Sequence, residues 1–151
     1  MAIRNIVKMG DPILRKVCKP VTQFDGKLAS LLDDLKDTLH KAEGLGLAAP
    51  QVGILKRVCI VEYEDAYYEL VNPVLISSSG SCKDNEGCLS VPGFRGIVER
   101  PQFIEVEYFD RAGEKHRVQA EGYFARVFLH EMDHLDGILF ADKMIRKIVD
   151  R

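Results

Sequence analysis

The sequence has no apolar run that approaches the roughly 18 residues a membrane-spanning helix needs. Arg4 and Lys8 lie near its start, but the apolar stretches around them are too short for the core of a signal peptide. It contains no internal repeat, no low-complexity segment and no stretch with the composition of a linker. Because 46% of its 151 residues are hydrophobic, we expect one globular domain over residues 1–151.

The sequence also has a small net charge and few cysteines. The 21 Lys and Arg residues nearly balance 23 Asp and Glu residues, which leaves a formal net charge of -2. This balance gives no overall attraction to DNA or to an anionic membrane, and neither is expected as a partner. The four cysteines could form two disulfides, but a domain of this size does not require them. We therefore expect a reduced, cytoplasmic protein.

Helices are predicted in three places. Asp11 followed by Pro12 is typical of a helix start and predicts a short helix through residue 17. Leucines at three- and four-residue spacing predict an amphipathic helix over residues 25–41. The same periodicity predicts a helix over residues 122–135. The tail, residues 142–151, is expected to form one or two helical turns.

Six runs have the β-branched and aromatic composition of strands: residues 57–63, 67–72, 74–79, 96–98, 103–109 and 115–120. Residues 110–113 supply a hairpin turn between the last two. The order of helix, strands and helix predicts an α+β fold, in which a largely antiparallel sheet packs around the third helix.

That third helix contains the pattern His-Glu-x-x-His at His130, Glu131 and His134. Two imidazoles four residues apart point the same way from a helix and can bind one metal ion, with the glutamate able to reach a metal-bound water. Tyr123 and Val127 precede the histidines on the same stripe, so the imidazoles should enter the interior, where an uncoordinated pair would be unfavourable. The pattern favours a metal site over two hydrogen-bonded core histidines.

A catalytic centre with three protein ligands requires one more donor. His40 and His116 lie on predicted exposed faces. Cys88 lies in Glu86-Gly87-Cys88-Leu89-Ser90, a glycine-containing segment able to hold a thiolate in an unusual geometry. We interpret Cys88 as the third ligand; the alternative is a buried structural thiol. One thiolate and two neutral imidazoles leave a divalent ion formally cationic, which lowers the pKa of a bound water.

Residues 44–53 have the spacing of a degenerate dinucleotide-binding motif at Gly44, Gly46 and Ala49. That motif follows a strand and opens a helix, whereas a predicted helix precedes this stretch and Pro50 follows, so nucleotide binding is rejected. The glycines could instead form an edge for an extended peptide, with Gln51 as an uncharged donor to an oxyanion. An ordinary glycine-rich turn with a surface glutamine is an equal alternative.

Three segments together resemble the signature motifs of peptide deformylases: Gly44-Leu45-Gly46-Leu47-Ala48-Ala49-Pro50-Gln51, Glu86-Gly87-Cys88-Leu89-Ser90 and His130-Glu131-Met132-Asp133-His134. The resemblance extends from Asp11 to Phe140. It implies that Glu131 is the general acid and base, and it implies the same metal ligands that the residues indicated, namely Cys88, His130 and His134.

The resemblance also implies the substrate contacts. Gln51 and the backbone N–H of Leu89 would stabilise the oxyanion, while Gly46 and Gly87 would lie beside the substrate backbone. In this family the first side chain of the substrate is methionine, which would require an apolar pocket. The candidates for that pocket are Leu45, Tyr123 and Val127, with Leu89 as a fourth. Arg95 is a candidate contact on the substrate side, the alternative being a solvated surface arginine.

The implied reaction is attack of metal-bound hydroxide on the formyl carbon of an N-formyl-methionyl nascent peptide, with release of formate, in a bacterial cytoplasm. The resemblance points to Fe2+, although the donor set also suits Zn2+, Co2+ and Ni2+. A monomer is expected. The locally basic tail could attract ribosomal RNA weakly, the alternative being a solvated helix end; its basic residues are Lys143, Arg146, Lys147 and Arg151.

An ion pair between Arg100 and Asp133 is expected, on family similarity and charge complementarity, to orient the motif helix. Two other functions stay open from the sequence. A His-Glu-x-x-His helix also hydrolyses internal peptide bonds in metalloendopeptidases. A structural metal site closed by a fourth protein ligand would leave Glu131 without a chemical task.

Overall fold

The fold has two antiparallel sheets and three α-helices in the computed structural model, which describes residues 2–149. The helices are α1 (Gly26–Ala42), α2 (Gly122–His134) and the single turn α3 (Phe140–Lys143). Asp25 caps α1, because its side chain accepts the Leu28 N–H at 3.1 Å. The predicted short N-terminal helix is a 3-10 helix over Pro12–Arg15, capped by Asp11.

The larger sheet has the strand order β1-β2-β3-β6-β7, and the smaller sheet has the order β4-β5-β8. All neighbouring strands pair antiparallel. The strand bounds are β1 Gly46–Ala48, β2 Val58–Tyr63, β3 Ala66–Ser79, β4 Cys82–Cys88, β5 Val91–Arg100, β6 Phe103–Phe109, β7 Lys115–Glu121 and β8 Met144–Val149.

Apolar clusters cover the larger sheet on both faces. In β2, Val58 and Ile60 join the cluster formed with the leucines of α1, while Cys59 and Val61 join the cluster formed with α2. Successive residues of a strand point to opposite faces, so β2 is buried on both sides, which explains its nearly continuous apolar sequence. The sheet therefore holds α2 on the face opposite α1.

The structure corrects several sequence predictions. The runs 67–72 and 74–79 form one strand, β3, in which Asn72 has φ +50° and a bulge interrupts pairing with β6. Both β1 and β4 were missed. Cys82 and Cys88 are the first and last residues of β4, whose charged sequence has little strand propensity and is held extended by pairing with β5.

The predicted helical tail is wrong beyond Lys143, where the turn α3 ends. Residues 144–149 form β8, which pairs with Phe94 to Val98 of β5. The β-branched Ile145, Ile148 and Val149 suit a strand, and the prediction overlooked them. Of the tail, Asp150 and Arg151 lie outside the described residues. Over residues 2–149, no helix is both long and apolar enough to span a membrane. All four cysteines, which lie within this range, are free thiols.

Candidate metal centre

Helix α2 brings its two histidines to one face. The ring centroids of His130 and His134 are 5.1 Å apart, and the His134 Nε2 lies 3.4 Å from the Cys88 Sγ. One donor atom from each of these three residues lies within 4.8 Å of the others. The donors come from separate parts of the fold, because the histidines belong to α2 and the thiol belongs to the end of β4.

The pairing of β4 with β5 is irregular next to Cys88. Glu86 pairs with Gly96, whereas Cys88 pairs with Val91, so the extra residues lie on β5 between Val91 and Gly96. One of them, Arg95, covers the backbone of β4, because a Cβ at Gly87 would lie 2.6 Å from the Arg95 Nη1. The irregular stretch of β5 therefore brings Arg95 against the residue that precedes Cys88.

Glu86 orients the imidazole of His130. Its Oε1 lies 2.9 Å from the His130 Nδ1, and the carboxylate is buried between the guanidinium groups of Arg100 and Arg126. Burial by itself would raise the pKa of Glu86, but hydrogen bonds from His130 and Arg100 hold it far below its ordinary value. The anionic carboxylate can only accept a hydrogen bond, so the His130 Nδ1 carries a hydrogen and the His130 Nε2 is the ring nitrogen left to bind a metal.

Glu131 is buried beside these donors. Its Oε2 lies 3.9 Å from the His130 Nε2, and burial raises the pKa of Glu131 to about 7. Burial also lowers the pKa of His134 well below its usual value, which keeps that imidazole neutral. Among buried side-chain atoms of residues 2–149, only the Glu131 Oε1 and the His134 Nδ1 have no hydrogen-bond partner. One thiol, two imidazoles and an unpartnered carboxylate oxygen fit a divalent transition metal with an activated water.

Gln51 is a buried residue of the site, so the surface-glutamine alternative is wrong. Its Oε1 accepts the Ala48 N–H at 2.9 Å, and its Nε2 donates to the Ser90 Oγ at 3.0 Å and faces the Cys88 Sγ at 3.6 Å. These contacts fix the amide with its N–H groups toward the thiol. Among the described strands, β1 pairs only with β2, so its other edge has no strand partner.

One cavity of about 260 Å3 contains all the residues predicted to contact substrate, together with most of the proposed catalytic groups. Tyr123 and Val127 line it from α2, and Leu45 lies at its mouth with 43% of its surface exposed. Its walls also include polar residues, since the Tyr123 hydroxyl donates to the Asn85 carbonyl and Arg95 donates to the Asn85 side chain. The other predicted substrate residues in the cavity wall are Gly46, Gly87, Leu89 and Arg95.

The two other histidines are exposed and pair with carboxylates: His40 with Glu62, and His116 with Asp110. The predicted ion pair is present, because the Arg100 Nη1 lies 2.9 Å from the Asp133 Oδ2.

Sequence reasoning did not single out Glu86, Ser90 or Arg126. The sequence did contain an indication for Arg126, because this charged residue precedes His130 by four residues on an otherwise apolar helix face. A buried charge of this kind requires a partner, which here is Glu86.

An α+β fold with a buried His-Glu-x-x-His helix beside an open cavity defines a class of protein, the metal-dependent hydrolases of linear amides. A model of the family described as polypeptide deformylase matches residues 3–148. The chain belongs to the peptide deformylase family and is an enzyme of that family.

Relatives in sequence and structure agree with this assignment. A peptide deformylase from Caldicellulosiruptor bescii is 54% identical over 146 residues, which cover 97% of this chain and 88% of the relative. One from Heliobacterium modesticaldum is 51% identical and covers 95% of each chain. The crystal structure of peptide deformylase from Thermotoga maritima aligns with a TM-score of 0.93 and 39% identity, covering 95% of this chain and 99% of the other. The family resemblance and the antiparallel α+β fold are thereby confirmed.

Proposed function

We propose that this enzyme removes the formyl group from the N-terminal methionine of nascent polypeptides and releases formate. Membership of the peptide deformylase family supports deformylation of nascent peptides in general. The observation that carries the finer proposal is the position of Glu131, which is buried, lacks a partner at Oε1 among the described residues, and lies beside three metal-type donors. A closed structural site would give this carboxylate no task.

Cys88, His130 and His134 would hold the metal, and we propose Fe2+ as the ion used in the cell. Zn2+, Co2+ and Ni2+ suit the same donors. A bound divalent ion would supply Lewis acidity toward a water molecule and the formyl carbonyl. Glu86 prepares one ligand in advance, because its hydrogen bond fixes the tautomer and the plane of His130.

The remaining steps fall to residues of the chain. Glu131 takes a proton from the attacking water and delivers it to the departing amine nitrogen. The Gln51 Nε2 and the backbone N–H of Leu89 donate hydrogen bonds to the oxygen on which negative charge develops. The Gln51 amide needs little reorganisation, because Ala48 and Ser90 already hold it.

The substrate would bind as an extended chain along the open edge of β1, with Gly46 and Gly87 beside its backbone. The methionine side chain would enter the cavity between Leu45, Tyr123 and Val127, with Leu89 in its wall. Arg95, which is already held by Asn85, would contact the substrate at the cavity mouth.

The test is formate release from a formyl-methionyl peptide by anaerobic, Fe2+-loaded protein. We expect kcat to fall about 10²- to 10⁴-fold in Glu131→Ala, because the proton carrier is lost, with metal content unchanged. Glu114→Ala, at an exposed turn residue, should behave as wild type. Wild-type rates in metal-loaded Glu131→Ala would refute the role of Glu131, and no release by the wild type would refute the substrate.

We further propose that residues 1–151 act as one catalytic domain and as a monomer in a bacterial cytoplasm. The family match over residues 3–148 supports the single domain.

Weak attraction to the ribosome is proposed for the exposed Arg146 and Lys147 of β8, since Lys143 is engaged by Asp133 at 3.0 Å. Co-sedimentation with ribosomes should weaken in a variant carrying Arg146→Glu and Lys147→Glu, and unchanged co-sedimentation would contradict it.

A further inference from the structure

The ligands proposed above come from two elements that share no backbone pairing. His130 and His134 lie on α2, whereas Cys88 ends β4 in the smaller sheet. A metal centre tolerates only small errors in the separation of its donors. Side-chain contacts between α2 and the smaller sheet must therefore set the distance from the thiol to the imidazoles.

Arg126 makes such a contact from one turn of α2 before His130. It is 2% exposed, and its Nη1 lies 2.7 Å from the Glu86 Oε2 and 2.8 Å from the Val98 carbonyl oxygen. Its Nη2 donates to the Cys82 carbonyl oxygen at 2.8 Å. One guanidinium thus contacts the backbone at the start of β4, the Glu86 side chain near the end of β4, and the backbone of β5. The planar fork of arginine can reach three such acceptors, which the single ammonium of lysine cannot match.

Glu86 connects Arg126 to the donors on both sides. The carboxylate precedes Cys88 by two residues and accepts the hydrogen of the His130 Nδ1. Arg100, a residue of β5, holds Glu86 within the smaller sheet and also reaches α2 through Asp133, but its side chain makes no contact with the backbone of β4 among the hydrogen bonds of the described residues. Arg126 is itself a residue of α2, and two of its three hydrogen bonds tie the helix directly to β4, the strand that carries the thiol, while the third reaches β5.

We propose that Arg126 is a positioning residue, which sets the separation of Cys88 from the two histidines and so controls thiolate ligation of the metal. This inference rests on the ligand set of the proposed function. Loss of Arg126 would leave Glu86 paired with Arg100 and would leave the pairing of β4 with β5 intact. The smaller sheet would therefore stay folded while its spacing from α2 relaxed.

The test is Co2+ titration of the metal-free full chain, because thiolate coordination of Co2+ gives a sulfur-to-metal charge-transfer band in the near ultraviolet. We expect Arg126→Met to bind Co2+ about 10- to 100-fold more weakly and to show a weaker band at saturating Co2+. Arg126→Lys keeps the charge but not the three contacts, so its band should also stay below that of the wild type. Arg117→Met is the matched control, since Arg117 is 56% exposed and pairs with Glu107 on the neighbouring strand.

A wild-type band and affinity in Arg126→Met would overturn the proposal, as would a full band at saturation despite weaker binding, because Cys88 would then still reach the metal. If Arg126→Met does not fold, the band of Arg126→Lys decides in the same way. Absence of the band in the wild type and in Arg117→Met would refute Cys88 as a ligand, and with it this inference. Formate release would still test deformylation separately.

Discussion

Gly46 lies against the side chain of Glu131, so closely that an added Cβ would sit 2.7 Å from its Cγ and Oε2. We predict that Gly46→Ala lowers kcat for formate release about 10²-fold, since displacing Glu131, the proposed proton carrier, by about 1 Å is enough for such a loss. Metal content should stay at the wild-type level. The measurement is steady-state formate release with metal analysis of the same sample.

Gly26→Ala is the control for this change, because a Cβ at Gly26 meets nothing within 4 Å and Gly26 begins α1, away from the site. Equal activity of Gly46→Ala and Gly26→Ala would show that Glu131 does not depend on this backbone approach.

Arg100 joins Glu86 to Asp133, and both contacts lie next to the ligand helix. We predict that Arg100→Ala weakens metal retention about 10- to 100-fold, because loss of groups that orient ligands typically has this effect. The measurement is competition with a chelator, beside Arg117→Ala. If metal occupancy and activity both remain at wild-type levels in Arg100→Ala, the orienting role is to be abandoned.

Many of the individual site residues could be predicted from the sequence, because they lie in short motifs. His-Glu-x-x-His on a helix fixes the relative position of three side chains by helical geometry alone. Gln51 could not be placed, since a glutamine in a glycine-rich stretch is equally typical of a surface turn. Arg126 and Glu86 were missed because their pairing joins residues 40 positions apart along the chain.

Helix α1 contributes leucines to the hydrophobic core and contributes no residue to the site cavity. Leu35 is fully buried between α1 and the larger sheet, on the face opposite α2. We predict that Leu35→Ala lowers the free energy of unfolding by about 2–5 kcal/mol, through lost burial and the cavity left behind. The kcat of the folded protein should not change, because no residue of α1 lines the site cavity.

Urea unfolding measures this effect, with Lys41→Ala on the same helix as the exposed control. The control should change stability by no more than about 0.5 kcal/mol. A loss in Leu35→Ala no larger than in Lys41→Ala would show that the leucine face does not build this core.

Elements with strong periodicity could be predicted, and those formed by pairing could not. The five leucines of α1 defined its helix to within a residue or two, and residues 103–109 coincide with β6. By contrast, β4 and β8 take their extended conformation from β5, which lies between them. The charged sequence of β4 contains little local preference for a strand, whereas β8 contains the β-branched Ile145, Ile148 and Val149, which the helical prediction for the tail overlooked.

At the scale of the whole molecule, the site lies where two layers meet. The larger sheet and α2 supply the histidines, Glu131 and the open edge at β1, while the smaller sheet supplies Cys88 and the backbone of Leu89. Neither layer alone contains all three proposed metal ligands. This division explains why the motifs are spread over some ninety residues of the chain, from Gly44 to His134.

We propose that the enzyme cleaves the formyl amide and leaves internal peptide bonds intact. Mass spectrometry of a formyl-methionyl peptide incubated with anaerobic Fe2+-loaded protein tests this, with the N-acetylated peptide alongside. We predict one product from the formyl peptide, the full-length chain with a free N-terminal methionine, and no change in the acetylated peptide. Internal fragments from either peptide, or an unchanged formyl peptide in the presence of metal-loaded protein, would contradict this specificity.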